Sequence, residues 1–181
     1  MKPATLLLFL LLFSNLFAQE KLRIVPITHY DYDKFDPTIT IQDLFRDSID
    51  CIELVSLSGY QSSRKGYYYE RTIICPNGID VSHLRIVRQL DTAKWQQLST
   101  ILALPAPQEN MLSACYAPRN GIIFYSKSGE IVSYLELCFE CNMNASSGIP
   151  LADPLINFSA EKYQQLKNLF NEIGMKIYEP R

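Results

Sequence analysis

The chain has 181 residues, with 17 Lys and Arg against 19 Asp and Glu, so its formal charge at neutral pH is −2. Hydrophobic residues make up 48% of the chain, a share typical of a protein that folds around a core rather than one that stays disordered. The basic residues are scattered and form no stripe that would neutralise a phosphate backbone, which disfavours nucleic-acid binding.

The N-terminal residues have the layout of a secretory signal. Lys2 precedes an apolar run from Leu6 to Phe13, and the small residue Ala18 follows. The apolar run is shorter than the ~20 residues that a membrane-spanning helix needs. We therefore predict a signal peptide over residues 1–18, cut after Ala18 or Gln19. The mature protein would be exported, periplasmic or secreted, with no stable membrane insertion after cleavage.

An acidic, proline-containing segment over residues 19–40 follows, which we interpret as an extended leader with one edge strand at Leu22–Ile27. Residues 41–181 are predicted to form a single domain. It begins with a short helix or turn at "IQDLFRDS". The alternation and β-branched residues of "IDCIELVSL" then predict a strand over Ile49–Leu57.

Two hairpins are predicted where a glycine-containing turn separates two apolar runs. The first turns at Pro76-Asn77-Gly78 and the second at Lys127-Ser128-Gly129. Glycine is favoured in such turns because it adopts positive φ without steric cost.

Two amphipathic helices are also predicted, one with Asp91 as N-cap and one running from an N-cap at Ser159 to a C-cap at Gly174. Each places its apolar residues on one face. These residues are Trp95, Leu98, Ile101 and Leu102 in the first helix, and Tyr163, Leu166, Leu169, Phe170 and Ile173 in the second.

The two helices resemble each other in sequence, since "LDTAKWQQLSTIL" aligns with "FSAEKYQQLKNLF" without a gap. With the two hairpins this suggests duplicated ββα units over about 67–104 and 116–174, the second with a polar loop inserted over Cys141–Asn157. Chance similarity between two amphipathic helices is the alternative. Either way we predict a two-layer α+β fold, an antiparallel β-sheet of about five strands with two helices on one face.

The chain has five cysteines, so at least one is left over from any set of intramolecular disulfides. A three-residue loop in the second hairpin places Cys115 opposite Cys141, and a two-residue loop places it opposite Asn142. One hypothesis is a structural disulfide from Cys115 to Cys141 or to Cys138. A second is a zinc site of these three cysteines with His83 or Cys75 as fourth ligand.

The third hypothesis is that the C-x-x-C motif "CFEC" is a redox pair. We favour the structural disulfide, because the motif ends a strand instead of beginning a helix. The carboxylate of Glu140 would also raise a neighbouring thiol's pKa. No other cofactor is predicted.

Ligand-contact candidates gather at the base of the second hairpin: Tyr116, Arg119, Asn142 and Asn144. The Arg119 guanidinium is suited to clamping a carboxylate, although an internal partner such as Glu136 or Glu140 is the preferred interpretation.

None of the common catalytic or cation-binding patterns occurs, whether G-x-S-x-G, H-E-x-x-H, a phosphate loop or an EF-hand. The sequence therefore favours a non-enzymatic exported domain that binds an unidentified protein or small ligand near the hairpin base and the 142–157 loop. A metal-binding or thiol-redox module that uses the same cysteines is the alternative, and an enzyme without a recognisable motif is a further one.

The stretch "CYAPRNGIIFYSKSGEIVSYLELCFEC" resembles a hairpin of small exported proteins from Bacteroidota-type bacteria, in which C-Y-x-P-R, GI-x-FY and C-F-x-C recur together. The "LFAQ" end of the signal segment is also similar to theirs. The resemblance implies export and marks this hairpin as the region of interest, but it implies no reaction. Asn120 stands where the resemblance leads us to expect a histidine, which weakens a metal site that needs a ligand there.

Overall fold

A computed structural model describes residues 23–27, 41–57, 74–75, 78–105, 118–148 and 158–177. The predicted signal peptide, most of the leader, Cys115, Tyr116 and the second half of the 142–157 loop lie outside these residues. The elements in chain order are β1 (Ile24–Val25), α1 (Ile41–Ser48), β2 (Cys51–Leu57), β3 (Ile74–Cys75), β4 (Gly78–Asp80), a 3-10 turn (Val81–His83), β5 (Leu84–Gln89), α2 (Thr92–Leu102), β6 (Asn120–Tyr125), β7 (Ile131–Cys138), β8 (Met143–Gly148) and α3 (Ala160–Glu172).

Five of these strands form the main sheet, in the order β5-β2-β6-β7-β8 with every pair antiparallel. The three helices pack on one face of it. Side chains alternate along a strand, so Ile52 and Leu54 of β2 point to the helices while Val55 and Leu57 point the other way. The helix-side core is continued by Phe45, Leu98, Leu102, Ile122, Phe124, Leu135, Leu137, Leu166, Leu169 and Phe170. The predicted α+β class is confirmed.

A second, three-stranded sheet of order β1-β4-β3 packs on part of the opposite face, which the sequence did not predict. Ile79 of β4 is fully buried there among residues of the main sheet. The contact between β4 and β1 depends on Gly78, whose φ is +149° and whose missing Cβ would lie 2.0 Å from the Val25 carbonyl oxygen. A glycine at this position lets the two backbones approach.

The local predictions for the helices are confirmed by their caps. The Asp91 side chain accepts a hydrogen bond from Lys94 N, and α2 begins at the next residue. Ser159 accepts one from Lys162 N at the start of α3. Gly174 follows the end of α3 with a φ of +73°, as expected of a residue that stops a helix in the left-handed conformation.

The predicted duplication is not shown. In the described residues the first predicted hairpin comprises the short strands β3 and β4, and the chain then crosses to the main sheet as β5. The second hairpin, β6 and β7, stays within one sheet. The polar loop predicted after it begins instead as β8, which pairs along β7 through six residues. β8 was missed because "MNASSG" has neither alternation nor β-branched residues, and the neighbouring strand supplies the hydrogen bonds that make it a strand.

The register of the second hairpin combines both alternatives that the sequence left open. Next to the turn, Ser126 N donates to Glu130 O (2.9 Å), as in a three-residue loop. The register then shifts by one residue between Phe124 and Tyr125, so the rest of the hairpin pairs as a two-residue loop would. A β-bulge of this kind adds one residue to one strand and turns its side chains to the other face.

Candidate functional site

A tight turn that contains a disulfide joins β7 to β8. Cys138 ends β7 and forms a disulfide with Cys141 inside the turn, with the two Cα atoms 5.8 Å apart. The structure pairs these two cysteines with each other, whereas the sequence favoured a bridge to one of them from Cys115, which lies outside the described residues. Asn142 completes the turn with a φ of +50°, a conformation that asparagine adopts more readily than most residues.

The side chain of Phe139 packs the same turn against α3. It is 5% exposed, and its ring makes edge-to-face contacts with Phe170 (5.4 Å between centroids) and Tyr163 (6.2 Å) of α3. Such contacts add to the free energy gained by burial alone. The disulfide and the buried ring together give the turn one conformation.

Arg119 and Glu140 are the charged pair beside this turn. Arg119 Nη1 lies 3.6 Å from Glu140 Oε1, with the two side chains 30% and 21% exposed. Two hydrogen bonds fix the backbone of Arg119: its carbonyl oxygen accepts from Leu57 N (2.8 Å), and its amide donates to Leu137 O (3.4 Å). The preferred interpretation of Arg119, an internal carboxylate partner, is confirmed with Glu140.

Glu136, the other acid considered for Arg119, is completely buried within β7 and pairs along the ladder with Gly121 and Ala145. The neighbouring residue Tyr134 is also fully buried. A Cβ at Gly121 would lie 2.7 Å from Tyr134 Oη, so the ring lies against the β6 backbone where a side chain would otherwise stand. The signal for this packing was available in the sequence as a glycine inside a predicted strand.

The remaining ligand-contact candidates are not brought together. Asn144 lies in β8 on the helix side, where its Nδ2 donates to Tyr163 Oη (3.3 Å) and serves the packing of α3. Burial of Tyr163 raises its pKa above the ordinary value. Asn120 is also internal, since its Nδ2 donates to Lys176 O (3.2 Å). Only Arg119 and Asn142 of the predicted contacts adjoin the turn, and Tyr116 lies outside the described residues.

His83, the candidate fourth zinc ligand, lies in the 3-10 turn with its Nε2 3.3 Å from Asp80 Oδ2. Asp80 also accepts from Ser82 N (3.0 Å), Ser82 Oγ (2.6 Å) and Arg23 N (3.3 Å). Burial opposes ionisation of Asp80, but these bonds outweigh it and its pKa is lowered. The Ser82 hydroxyl is thus held by the carboxylate and not by the imidazole, unlike the nucleophile of a catalytic triad.

Within the described residues, no three side chains among His, Cys, Asp and Glu are grouped so as to hold a metal ion. A cysteine ligates zinc as a thiolate, so Cys138 and Cys141 cannot serve while their disulfide is intact. Because Cys115 lies outside the described residues, the zinc hypothesis stays a prediction.

Sequence reasoning missed a buried lysine on the helix side. Lys162 is 4% exposed, donates from Nζ to the Leu102 carbonyl oxygen (2.9 Å) and lies 4.6 Å from the centroid of the Phe158 ring. It caps the last turn of α2 from the first turn of α3, and burial lowers its pKa to about 8. A lysine on a helix otherwise rich in polar residues gave no sign of this role.

No helix in the described parts of the chain has both the length and the apolar composition to cross a membrane. Comparisons of the chain with protein-family models, with curated proteins and with solved structures gave no match. The function is therefore argued from the residues themselves.

Proposed function

We propose that this protein is an exported, non-enzymatic domain that binds a protein or a small ligand at the turn between β7 and β8. The observation that carries the proposal is the pair Arg119–Glu140 beside a turn held by the Cys138–Cys141 disulfide and by buried Phe139. A rigid, partly exposed polar turn presents its groups to a ligand at little cost in conformational entropy.

The chemistry of the pair favours a ligand that carries a carboxylate. The separation of 3.6 Å between Arg119 Nη1 and Glu140 Oε1 is longer than a hydrogen bond, and a partly exposed ion pair of this kind contributes little free energy. A ligand carboxylate that replaces Glu140 at the guanidinium gains two parallel hydrogen bonds when it binds in the bidentate geometry. Asn142 adds an amide on the same turn.

The binding site is tested by photocrosslinking in the exported fraction of the source cells. A photoreactive amino acid replaces Asn142 in one protein and Gln164, on the exposed side of α3, in the control. We expect a discrete adduct from the first position that disappears when Arg119→Ala is added. Adducts that are the same from both positions, or that persist with Arg119→Ala, would contradict the proposal.

Export is tested separately by mass spectrometry of the protein recovered from cells. The expected mature N-terminus is Gln19, or Glu20 if the cut follows Gln19. Recovery of the full-length chain from the cytoplasmic fraction alone would contradict export without bearing on the binding site.

A thiol-redox role is the second candidate, favoured by one observation: the disulfide joins the two cysteines of a C-x-x-C motif, and Cys141 is only half-buried. A substrate thiolate would attack Cys141 Sγ and release Cys138 as a thiolate. A second substrate thiol would then complete a substrate disulfide and leave both cysteines reduced. Cys138 is 1% exposed and lies at the end of a strand instead of at a helix N-terminus, the position that would stabilise the departing thiolate.

The redox candidate is tested by incubating the native protein with glutathione buffers of graded potential, alkylating free thiols and weighing the product. Reduction of the disulfide at about −120 to −180 mV, the range of oxidising thiol–disulfide oxidoreductases, would favour a redox role. A disulfide that is reduced only at potentials well below that range would indicate a structural bond and would contradict the redox role.

A further inference from the structure

The strand β5 forms one edge of the main sheet and is the more exposed of its two edges. Four of its six residues are exposed, namely Arg85, Val87, Arg88 and Gln89, whereas every residue of the opposite edge strand β8 is partly buried. Val87 is one of two large hydrophobic side chains exposed in the described residues, at 38%. An exposed edge strand offers its backbone to another strand.

The pairing with β2 identifies which backbone groups of β5 point outward. Leu90 N donates to Ile52 O (2.9 Å), and the same register continues from Gln89 to Ile86 before it shifts between Ser56 and Leu57. Hydrogen-bonded and non-hydrogen-bonded pairs alternate in an antiparallel ladder. The backbone N–H and C=O groups of Arg88 therefore point toward β2, whereas those of Val87 and Gln89 point away from it. These two residues present the N–H groups that an added strand would use.

The charge of the edge indicates what kind of strand fits. β5, "LRIVRQ", contains two arginines and no acidic residue. The guanidinium of Arg88 already lies at the outer rim, since its Nη1 donates to the Val87 carbonyl oxygen (3.0 Å). A carboxylate on an incoming strand gives that guanidinium a charged acceptor, which makes a stronger bond than a neutral carbonyl.

A second copy of this chain fits the edge less well than an acidic peptide. Pairing two β5 strands would place Arg88 of both copies on adjacent strands, and β5 itself contains no acidic residue. Like charges on paired strands are destabilising, and charged residues on an edge are a common protection against self-association.

We propose that β5 is a docking edge for an extended acidic segment of a partner protein, which adds to the main sheet as a sixth strand beyond Val87 and Gln89. The backbone supplies affinity, and Arg85 and Arg88 select acidic side chains. This surface is distinct from the turn at Cys138–Cys141, because β5 is the edge strand farthest in sheet order from β8.

The test uses two synthetic probes, an acetylated and amidated peptide of alternating glutamate and valine and its lysine–valine counterpart. Binding to the ¹⁵N-labelled mature chain is followed by amide chemical shifts and by hydrogen exchange. We expect the acidic peptide to shift and protect the amides of Val87 and Gln89, and the basic peptide to leave them unchanged. Shifts centred on Arg119 instead would overturn the inference while agreeing with the proposed binding turn.

Two variants make the test specific. Val87→Pro removes an outward N–H, which an edge strand tolerates, and is expected to abolish protection at Gln89. The double variant Arg85→Glu, Arg88→Glu keeps the backbone and is expected to weaken the acidic peptide about tenfold and to strengthen the basic one.

Three results would overturn the proposal: no change at β5 with the acidic peptide, equal binding of both peptides, or concentration-dependent dimerisation through β5. The last would identify a second copy of this chain as the occupant. Circular dichroism of each variant establishes that it is folded, and the double variant decides the matter if Val87→Pro does not fold.

Discussion

The burial of Lys162 between α2 and α3 predicts how the free energy of unfolding changes with pH. Replacing Lys162 with Met keeps a long unbranched side chain in place but removes the ammonium group that donates to Leu102 O. In the native protein burial lowers the pKa of Lys162 to about 8, against about 10.4 for an unfolded chain. Lys162 therefore makes the free energy of unfolding depend on pH between about pH 8 and about pH 10.4.

The sign follows from proton binding in the two states. Below about pH 8 Lys162 is protonated in both the native and the unfolded state, so it does not make the free energy of unfolding depend on pH. Between about pH 8 and pH 10.4 the unfolded chain binds more protons, so the free energy of unfolding rises with pH. At about 1.36 kcal/mol per pKa unit the full span has an upper limit of about 3 kcal/mol, of which about 1–2 kcal/mol is expected by pH 9.5.

The assay is urea unfolding of the wild type and of Lys162→Met from about pH 7 to about pH 9.5, with the difference between the two proteins plotted against pH. Burial, together with Glu53 and Asp50, raises the pKa of Cys51, which makes both proteins lose stability as pH rises in this window. That contribution cancels in the difference. A difference that stays constant across the window would refute the burial of a charged Lys162.

Three further predictions concern other contacts of the fold. Replacing Cys138 and Cys141 with Ala is expected to lower the free energy of unfolding by about 2 kcal/mol, because the disulfide closes a loop with a sequence separation of only 3. Phe139→Ala is expected to cost about 3–5 kcal/mol, since it empties the space against Phe170. Asp80→Asn is expected to lower stability at neutral pH and to converge with the wild type as pH falls below about 4, since a lowered native pKa stabilises only above the unfolded value.

The disulfide and Phe139 predictions each have a control in the same assay. Dithiothreitol should reproduce the loss in the wild type and leave the double alanine variant unchanged. Glu140→Gln, next to Phe139, should cost less than about 1 kcal/mol because its ion pair is partly exposed. A loss at Phe139 as small as that at Glu140, or an Asp80→Asn difference that persists in acid, would contradict the packing or the hydrogen bonding described above.

Local signals predicted much of the secondary structure. The N-caps Asp91 and Ser159, the strand of Cys51–Leu57 and the turn at Gly129 are each specified by the residues that form them. These elements depend on interactions over a few residues, which are legible in a single chain. The candidate site was found in part for the same reason: Arg119 and the "CFEC" motif lie near each other in sequence-predicted register.

Several of the missed features depend on contacts between residues far apart in the chain, whereas β8 and the Cys138–Cys141 disulfide were missed although their partners are close in sequence. β8 is a strand because β7 pairs with it, and β4 and β5 lie in different sheets, where β4 pairs with β1 and β3 and β5 pairs with β2. The pairing of cysteines could not be deduced from spacing, since a one-residue bulge changes which residues face each other. The burial of Lys162 likewise exists only because α2 ends beside the start of α3.

By itself, then, the sequence determined the α+β class, the helix caps and the hairpin at which a site was sought, and it is the basis of the proposal that the protein is exported. Only the tertiary structure decided which of the described cysteines pair, which face of the sheet each polar residue occupies, and which edge strand of the main sheet is the more exposed. The physical reason is the range of the interactions: caps and turns are satisfied within one or two turns of the backbone, whereas strand pairing and burial depend on residues brought together by the fold.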